Sequence, residues 1–288
     1  MLNPRVPSQF YSEVMDLETV FIRLALDIDI LEDDARGLFR LLPKPLQEAP
    51  AFHDRLTGFW RYDFGTPIDR LPGDYVVIGT HMFPLVDRLV RVLNMACRRV
   101  SEPKLGRYLH RLSDAMKHQD VLAEFSPILG VNASVDCEFE VSGYGVGNRT
   151  IDWLIRPVEI FPVLLDVKCR TRDFIEGLAQ ITCGCRGPGG EGPAPIHDAA
   201  VLFQDTEEKF IQRNSNEMWQ GAWIITQLKQ ERSELHAAFN SLDPMKLHFA
   251  VIANWKQDVY LLIRDGIQPE AVTSLFGITH SNNFVFDR

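Results

Sequence analysis

Apolar residues recur at helical intervals through the first part of the chain and switch to strict alternation near residue 135. Tyr11, Val14, Leu17, Val20, Phe21, Leu24 and Leu31 predict helix from about residue 10 to 42, where Pro43 and Pro45 stop it. Trp60, Tyr62 and Phe64 then sit among Gly65, Pro67, Pro72 and Gly73, which reads as a loop-rich stretch whose aromatics pack over a core. Phe83, Leu85, Val86, Leu89, Val90, Val92 and Leu93 predict a buried helix as far as Cys97, with Pro84 in its first turn. Leu105, Tyr108, Leu109, Leu112, Met116, Leu122 and Phe125 predict one more helix, ended by Pro127 and Gly130.

From Val135 the period is two. Val135, Cys137, Phe139 and Val141 interleave with Asp136, Glu138 and Glu140, giving a half-buried strand with an acidic face. Gly143, Gly145 and Gly147 turn the chain into a second strand, Arg149 to Ile155; because they join two strands and open no helix, they read as a hairpin and not as a phosphate loop. The apolar run 163–169 predicts a third, buried strand. Further on, the pattern predicts a short helix at 174–181 and a Gly- and Pro-rich surface loop at 184–195. A short helix at 198–213, a longer one at 216–239, strands at 247–252 and 259–264, and a tail follow.

Side chains alternate across a strand, so Asp166 and Lys168 leave the same face as Leu164. Asp152, flanked by apolar residues, lies on the strand before. Two strands bringing two carboxylates and an ammonium to one point make a candidate site for a divalent metal and a phosphate. The bland alternative is an ion pair between positions two apart at a strand end. Glu124 lies near a helix C-terminus, where the macrodipole disfavours an acid, so it faces water or has a purpose. His110 and His118 read as surface residues of their helix, and Gln180, Gln220 and Gln227 as ordinary polar positions on helical segments.

Composition narrows the classes. With 288 residues, 45% hydrophobic and 24% charged, the chain is an ordinary globular sequence of one large domain or two smaller ones. It has neither a signal-like start nor an apolar run approaching the roughly 18 residues of a membrane span, so a cytoplasmic location and no membrane partner are expected. Five cysteines, an odd number, read as reduced thiols; the close pair Cys183 and Cys185 lacks the further ligands of a zinc site. A net charge of -9 argues against nonspecific coating of nucleic acid. A local basic stretch does exist, with Arg88, Arg91, Arg98, Arg99, Lys104, Arg107, Arg111 and Lys117 outnumbering the acids around them, and it reads equally as a phosphate-attracting surface or a solvated helix face.

The order helix with Glu, hairpin with Asp, strand with Asp-x-Lys, helix, strand resembles the PD-(D/E)XK nuclease superfamily over residues 105–265. Ile151 stands where that family commonly has Pro, and Asp166 is the shorter of its two allowed acids. The same acidic-x-Lys spacing at Glu102-Pro103-Lys104 and Glu207-Glu208-Lys209 lacks a preceding strand and reads as chance. The resemblance implies an α/β (α+β) restriction-endonuclease-like core, a central mixed β-sheet flanked by helices. A mainly α-helical N-terminal region (1–104) would precede it and a tail (266–288) follow. It implies a metal-dependent nuclease cutting phosphodiester bonds, of DNA before RNA, with Mg²⁺ or alternatively Mn²⁺. Asp152, Asp166, Lys168 and Glu124 would be catalytic, and Asp152, Asp166, the Val167 backbone carbonyl and Glu124 would hold the metal. Arg98, Arg99, Arg107, Arg111, Arg170 and Arg172 are candidate nucleic-acid contacts. The other reading is a non-catalytic relative that binds nucleic acid or assembles with protein. A homodimer or a partner held through the N-terminal region is compatible with either.

Overall fold

The computed structural model describes residues 11–55, 57–64, 83–115, 117–169, 199–226, 232–254, 259–278 and 284–287. These residues form two compact units that divide between Leu122 and Ala123.

The first unit carries a small antiparallel sheet, β1 (Tyr11–Asp16), β2 (Pro50–Asp54) and β3 (Trp60–Tyr62), in the order β1-β2-β3. Its helices are α1 (Leu17–Leu26), α2 (Glu32–Arg40), the single turn α3 (Lys44–Gln47), α4 (Val86–Arg99), α5 (Glu102–Leu112) and α6 (His118–Ala123), the last of which reaches the division. The helix expected from about residue 10 is thus a strand first. Asp16 ends it by capping α1: one carboxylate oxygen accepts from the Thr19 amide at 2.8 Å and the other from the Thr19 hydroxyl at 2.9 Å. A second break falls at Asp29, which has φ 61 in the left-handed region where continuous helix cannot pass.

The aromatics of the supposed loop are in the core, Tyr62 with no exposure at all. Trp60 and Tyr62 got there because β3 pairs with β2. The helix expected from 105 to 125 is also interrupted, since the Ser113 hydroxyl bonds back to the His110 carbonyl at 2.6 Å and α5 closes there. His118, expected at the surface, is instead 1% exposed. The buried Tyr62 hydroxyl donates to its Nε2 (2.6 Å), while its Nδ1–H donates to the Leu112 carbonyl (2.8 Å). That carbonyl can only accept, which fixes the tautomer.

The second unit is built on a seven-stranded mixed sheet in the order β10-β9-β8-β7-β6-β5-β4. The strands are β4 (Asp136–Val141), β5 (Ile151–Arg156), β6 (Val163–Cys169), β7 (Trp219–Thr226), β8 (Phe249–Asn254), β9 (Val259–Ile263) and β10 (Phe284–Asp287). β4, β5 and β6 form an antiparallel meander, whereas β6, β7 and β8 run parallel. Between them lie α7 (Ala199–Glu207), α8 (Arg232–Asn240) and α9 (Pro269–Leu275). On one sheet face Leu154, Leu164, Ala222, Ile224, Ala250, Ile252 and Leu262 pack with Leu202 and Phe203 of α7 and Leu235 and Phe239 of α8. On the other, Phe125, Phe139 and Trp153 cluster with ring centroids 4.8–5.2 Å apart, and Trp223 and Phe249 meet Phe276.

The long helix expected at 216–239 is corrected by β7. Trp219 to Ile225 are buried on both faces, and such a strand shows the continuous apolar run that periodicity alone cannot tell from a buried helix. Gln220, read as a helix-surface residue, lies fully buried on β7 and donates to the Ile211 and Lys246 carbonyls. The tail likewise contributes α9 and the edge strand β10. The helix expected at 174–181, the Gly- and Pro-rich loop, Gln180, Gln227, Cys183 and Cys185 lie outside the described residues. Cys97, Cys137 and Cys169 are thiols outside any disulfide. Among the described residues, no helix is long and apolar enough to cross a membrane.

Candidate active site

The site lies where the β5–β6 ladder ends. β5 and β6 pair through Ile155–Val163, Leu154–Leu164 and Trp153–Leu165, and no further. On its other side β5 pairs with β4 at Trp153 and Ile151, skipping Asp152. The skipped partner on β4 is Glu140, whose φ of 49 puts a non-glycine residue in the left-handed region at a cost of about 1–2 kcal/mol. Asp152 therefore lies just past the end of the β5–β6 ladder and at a skipped position of the β4–β5 ladder. Its carboxylate takes over a main-chain role: Oδ2 accepts the Val167 amide of β6 at 2.7 Å.

One residue before that amide, Asp166 is completely buried. A carboxylate without water must be matched by charge and hydrogen bonds, and here two ammonium groups do it. Lys168 approaches Asp166 Oδ2 at 2.9 Å from two positions along the same strand. Lys209 approaches Oδ1 at 2.5 Å from the turn after α7. The buried Thr206 hydroxyl donates to the Leu202 carbonyl at 2.9 Å and lies 3.5 Å from Asp166 Oδ2.

Lys209 ends the Glu207-Glu208-Lys209 copy of the acidic-x-Lys spacing, which the sequence reads as chance. Its backbone is held by the glycine turn between β4 and β5: the Val146 amide donates to the Lys209 carbonyl at 2.8 Å, and Gly145 bridges to Phe210. A Cβ on Gly145 would come within 2.6 Å of the Arg149 carbonyl oxygen and 3.1 Å of that of Lys209. Phe210, fully buried in the core beneath α7, fixes the next position. The glycine turn is thus a hairpin that also seats an ammonium group beside Asp166.

Electrostatics tie the cluster together. Burial pushes the Asp152 carboxyl well above the usual carboxylate range, the charges of Asp166 and Glu124 push the same way, and Lys209 and the Val167 amide only partly offset them. Burial would lower the Lys209 pKa, but Asp166, Asp152 and its hydrogen bonds outweigh that and hold it above the ordinary lysine value. Glu124, half-buried just past α6, presents its main-chain carbonyl to the Trp153 indole N–H at 2.7 Å. Its side chain belongs to the site through its field on Asp152.

Among the described residues, no three or more His, Cys, Asp or Glu side chains are arranged to hold a metal ion. Magnesium does not require three, since it keeps several waters and takes one or two carboxylates plus substrate oxygens. Asp152 and Asp166 fit that demand on charge. They are two acids close enough to repel, one of them driven toward its neutral form by burial and by its neighbour's charge.

The arginines proposed as nucleic-acid contacts are in the first unit or outside the described residues. Arg98 and Arg107 are exposed, Arg99 donates to Met95 Sδ, and Arg111 stacks over Tyr108. Arg170 and Arg172 fall in the undescribed stretch. His110 is exposed. Compared with known protein families, curated proteins and solved structures, the chain shows no match.

Proposed function

We propose that this chain is a metal-dependent phosphodiesterase with a restriction-endonuclease-like core, acting on nucleic acid and on DNA before RNA. The observation that carries the reading is Asp166, wholly buried yet bound to two ammonium groups, beside a second carboxyl whose pKa burial and like charge push upward. Groups with opposed electrostatic demands gathered at one point are the mark of a site that handles charge in a reaction. The location supports it, because ligands of sheets with parallel strands bind beyond the strands' carboxyl ends, and Asp166 and Lys168 close β6 where it runs parallel to β7. The order of meander, helix and parallel strand also accords with the resemblance in the motif.

In this reading Asp152 and Asp166 hold the divalent cation, with the Val167 carbonyl as a further ligand and Glu124 adding negative charge. What Mg²⁺ or Mn²⁺ supplies when bound is an acidified water and positive charge beside the scissile phosphate. Lys168, anchored on rigid strand, orients the attacking water and donates to the phosphate as negative charge builds. Asp166 is dry, so its field on Lys168 is weakly screened and keeps the ammonium in place.

The test is cleavage of supercoiled plasmid, single-stranded DNA and RNA with Mg²⁺ or Mn²⁺ by the native chain, Asp166→Ala and Lys168→Ala. Cleavage abolished in both folded variants supports the reading. A native protein that cuts none of the substrates, and whose melting temperature neither metal shifts, refutes it.

A further inference from the structure

We propose that Lys209 is a displaceable counter-ion: it neutralises Asp166 while the metal is absent, yields that oxygen to the cation, and then contacts a substrate phosphate. The inference rests on the metal-site reading above and adds to it a residue outside the Asp-x-Lys motif.

The geometry leaves little choice. Both oxygens of Asp166 are engaged by ammonium groups, Oδ1 by Lys209 and Oδ2 by Lys168, and the side chain has no exposure through which a cation could approach. A divalent ion that uses Asp166 must therefore displace an ammonium. Lys168 is the worse candidate, because it lies on β6 in register with Ile224 of β7 and its side chain is 15% exposed. Lys209 lies on a turn, with a side chain 24% exposed that can swing outward without moving the sheet.

Displacement does not remove Lys209 from the site. Its backbone stays tied to Val146 and its neighbour Phe210 stays in the core, so the freed ammonium remains within a side chain's length of Asp166. Two lysines beside a cation whose charge the two aspartates cancel leave a net positive site, suited to a phosphodiester. The metal and the substrate are thereby coupled: the first cation frees the ammonium that the second ligand needs.

The experiment measures Mn²⁺ binding by the decrease in the free-ion electron paramagnetic resonance signal, for the native chain, Lys209→Met and Lys209→Gln. Removing the competitor should tighten Mn²⁺ binding by about tenfold in both variants. With Ca²⁺ in place of Mn²⁺, the same variants should bind a short fluorescein-labelled single-stranded DNA about tenfold more weakly, and Lys209→Arg should keep most of the affinity. Unchanged or weaker Mn²⁺ binding in the folded variants overturns the proposal while leaving the metal site standing. Tighter Mn²⁺ with unchanged DNA binding overturns the phosphate contact. If the folded native chain binds no Mn²⁺, the metal-site reading and this proposal fall together.

Discussion

Asp166→Ala tests whether one buried carboxylate organises the site. The substitution strips two ammonium groups of their partner at once, whereas Lys209→Met leaves Asp166 paired with Lys168 and removes a charge that was itself costly to bury. Breaking a buried pair by deleting one partner costs about 3–5 kcal/mol. The lysine side chains, 15% and 24% exposed, recover part of their hydration, which puts Asp166→Ala near the low end, about 3 kcal/mol. Lys209→Met should cost about 1 kcal/mol.

The double variant is the sharper test. Once Asp166 is gone, Lys209 is an unpaired charge, so deleting it should restore part of the loss and make the pair non-additive by about 1–3 kcal/mol. Urea denaturation in the presence of a chelator reads this, with Trp153, Trp219 and Trp223 in the core of the second unit as fluorescent reporters. Equal losses from Asp166→Ala and Lys209→Met, or strict additivity, would mean that Asp166 is hydrated in solution and is not the hub described here.

Other consequences follow from individual groups. Because the Asp152 carboxyl titrates above its unfolded value, the unfolded chain releases that proton first and stability falls as pH rises from the ordinary carboxylate range through the folded value. Asp152→Asn should therefore be more stable than the native chain near pH 7, with the advantage disappearing toward about pH 3, as pH-dependent denaturation will show. His118 has the opposite sign. Burial lowers its pKa to about 4, so acidification from about pH 6.5 to 4 protonates the unfolded chain first and should cost roughly 3 kcal/mol. His118→Gln should flatten that part of the stability–pH curve. A Cβ on Gly221 would enter the Phe249 ring, so Gly221→Ala should lower stability by about 1–3 kcal/mol in the same urea assay.

Local pattern alone was enough for several elements of this protein. The acidic alternation of β4, the glycine turn, the apolar run of β6, and the positions of β8, β9 and the helix that opens at Ala199 all follow from short-range periodicity and turn chemistry. So does the shared face of Asp166 and Lys168, because a period of two is a property of the strand itself. The same reasoning failed where burial erased the period. β7 is covered on both faces and reads like a helix, and β1 follows a spacing that its Asp16 cap and its pairing with β2 override.

Lys209 shows the limit best. Its acidic-x-Lys spacing was visible, but a lysine 43 positions from Asp166 gains meaning only when α7 packs on the sheet and the β4–β5 turn holds its carbonyl. The only signal near it was Phe210, an apolar residue after a run of charges, which marks an anchor without saying what it anchors. The residue types and strand faces at the site were determined locally. Which carboxylate lost its water, which ammonium was brought to it, and which acid was driven toward its neutral form were decided by tertiary packing, because desolvation and charge pairing depend on neighbours that the linear chain does not specify.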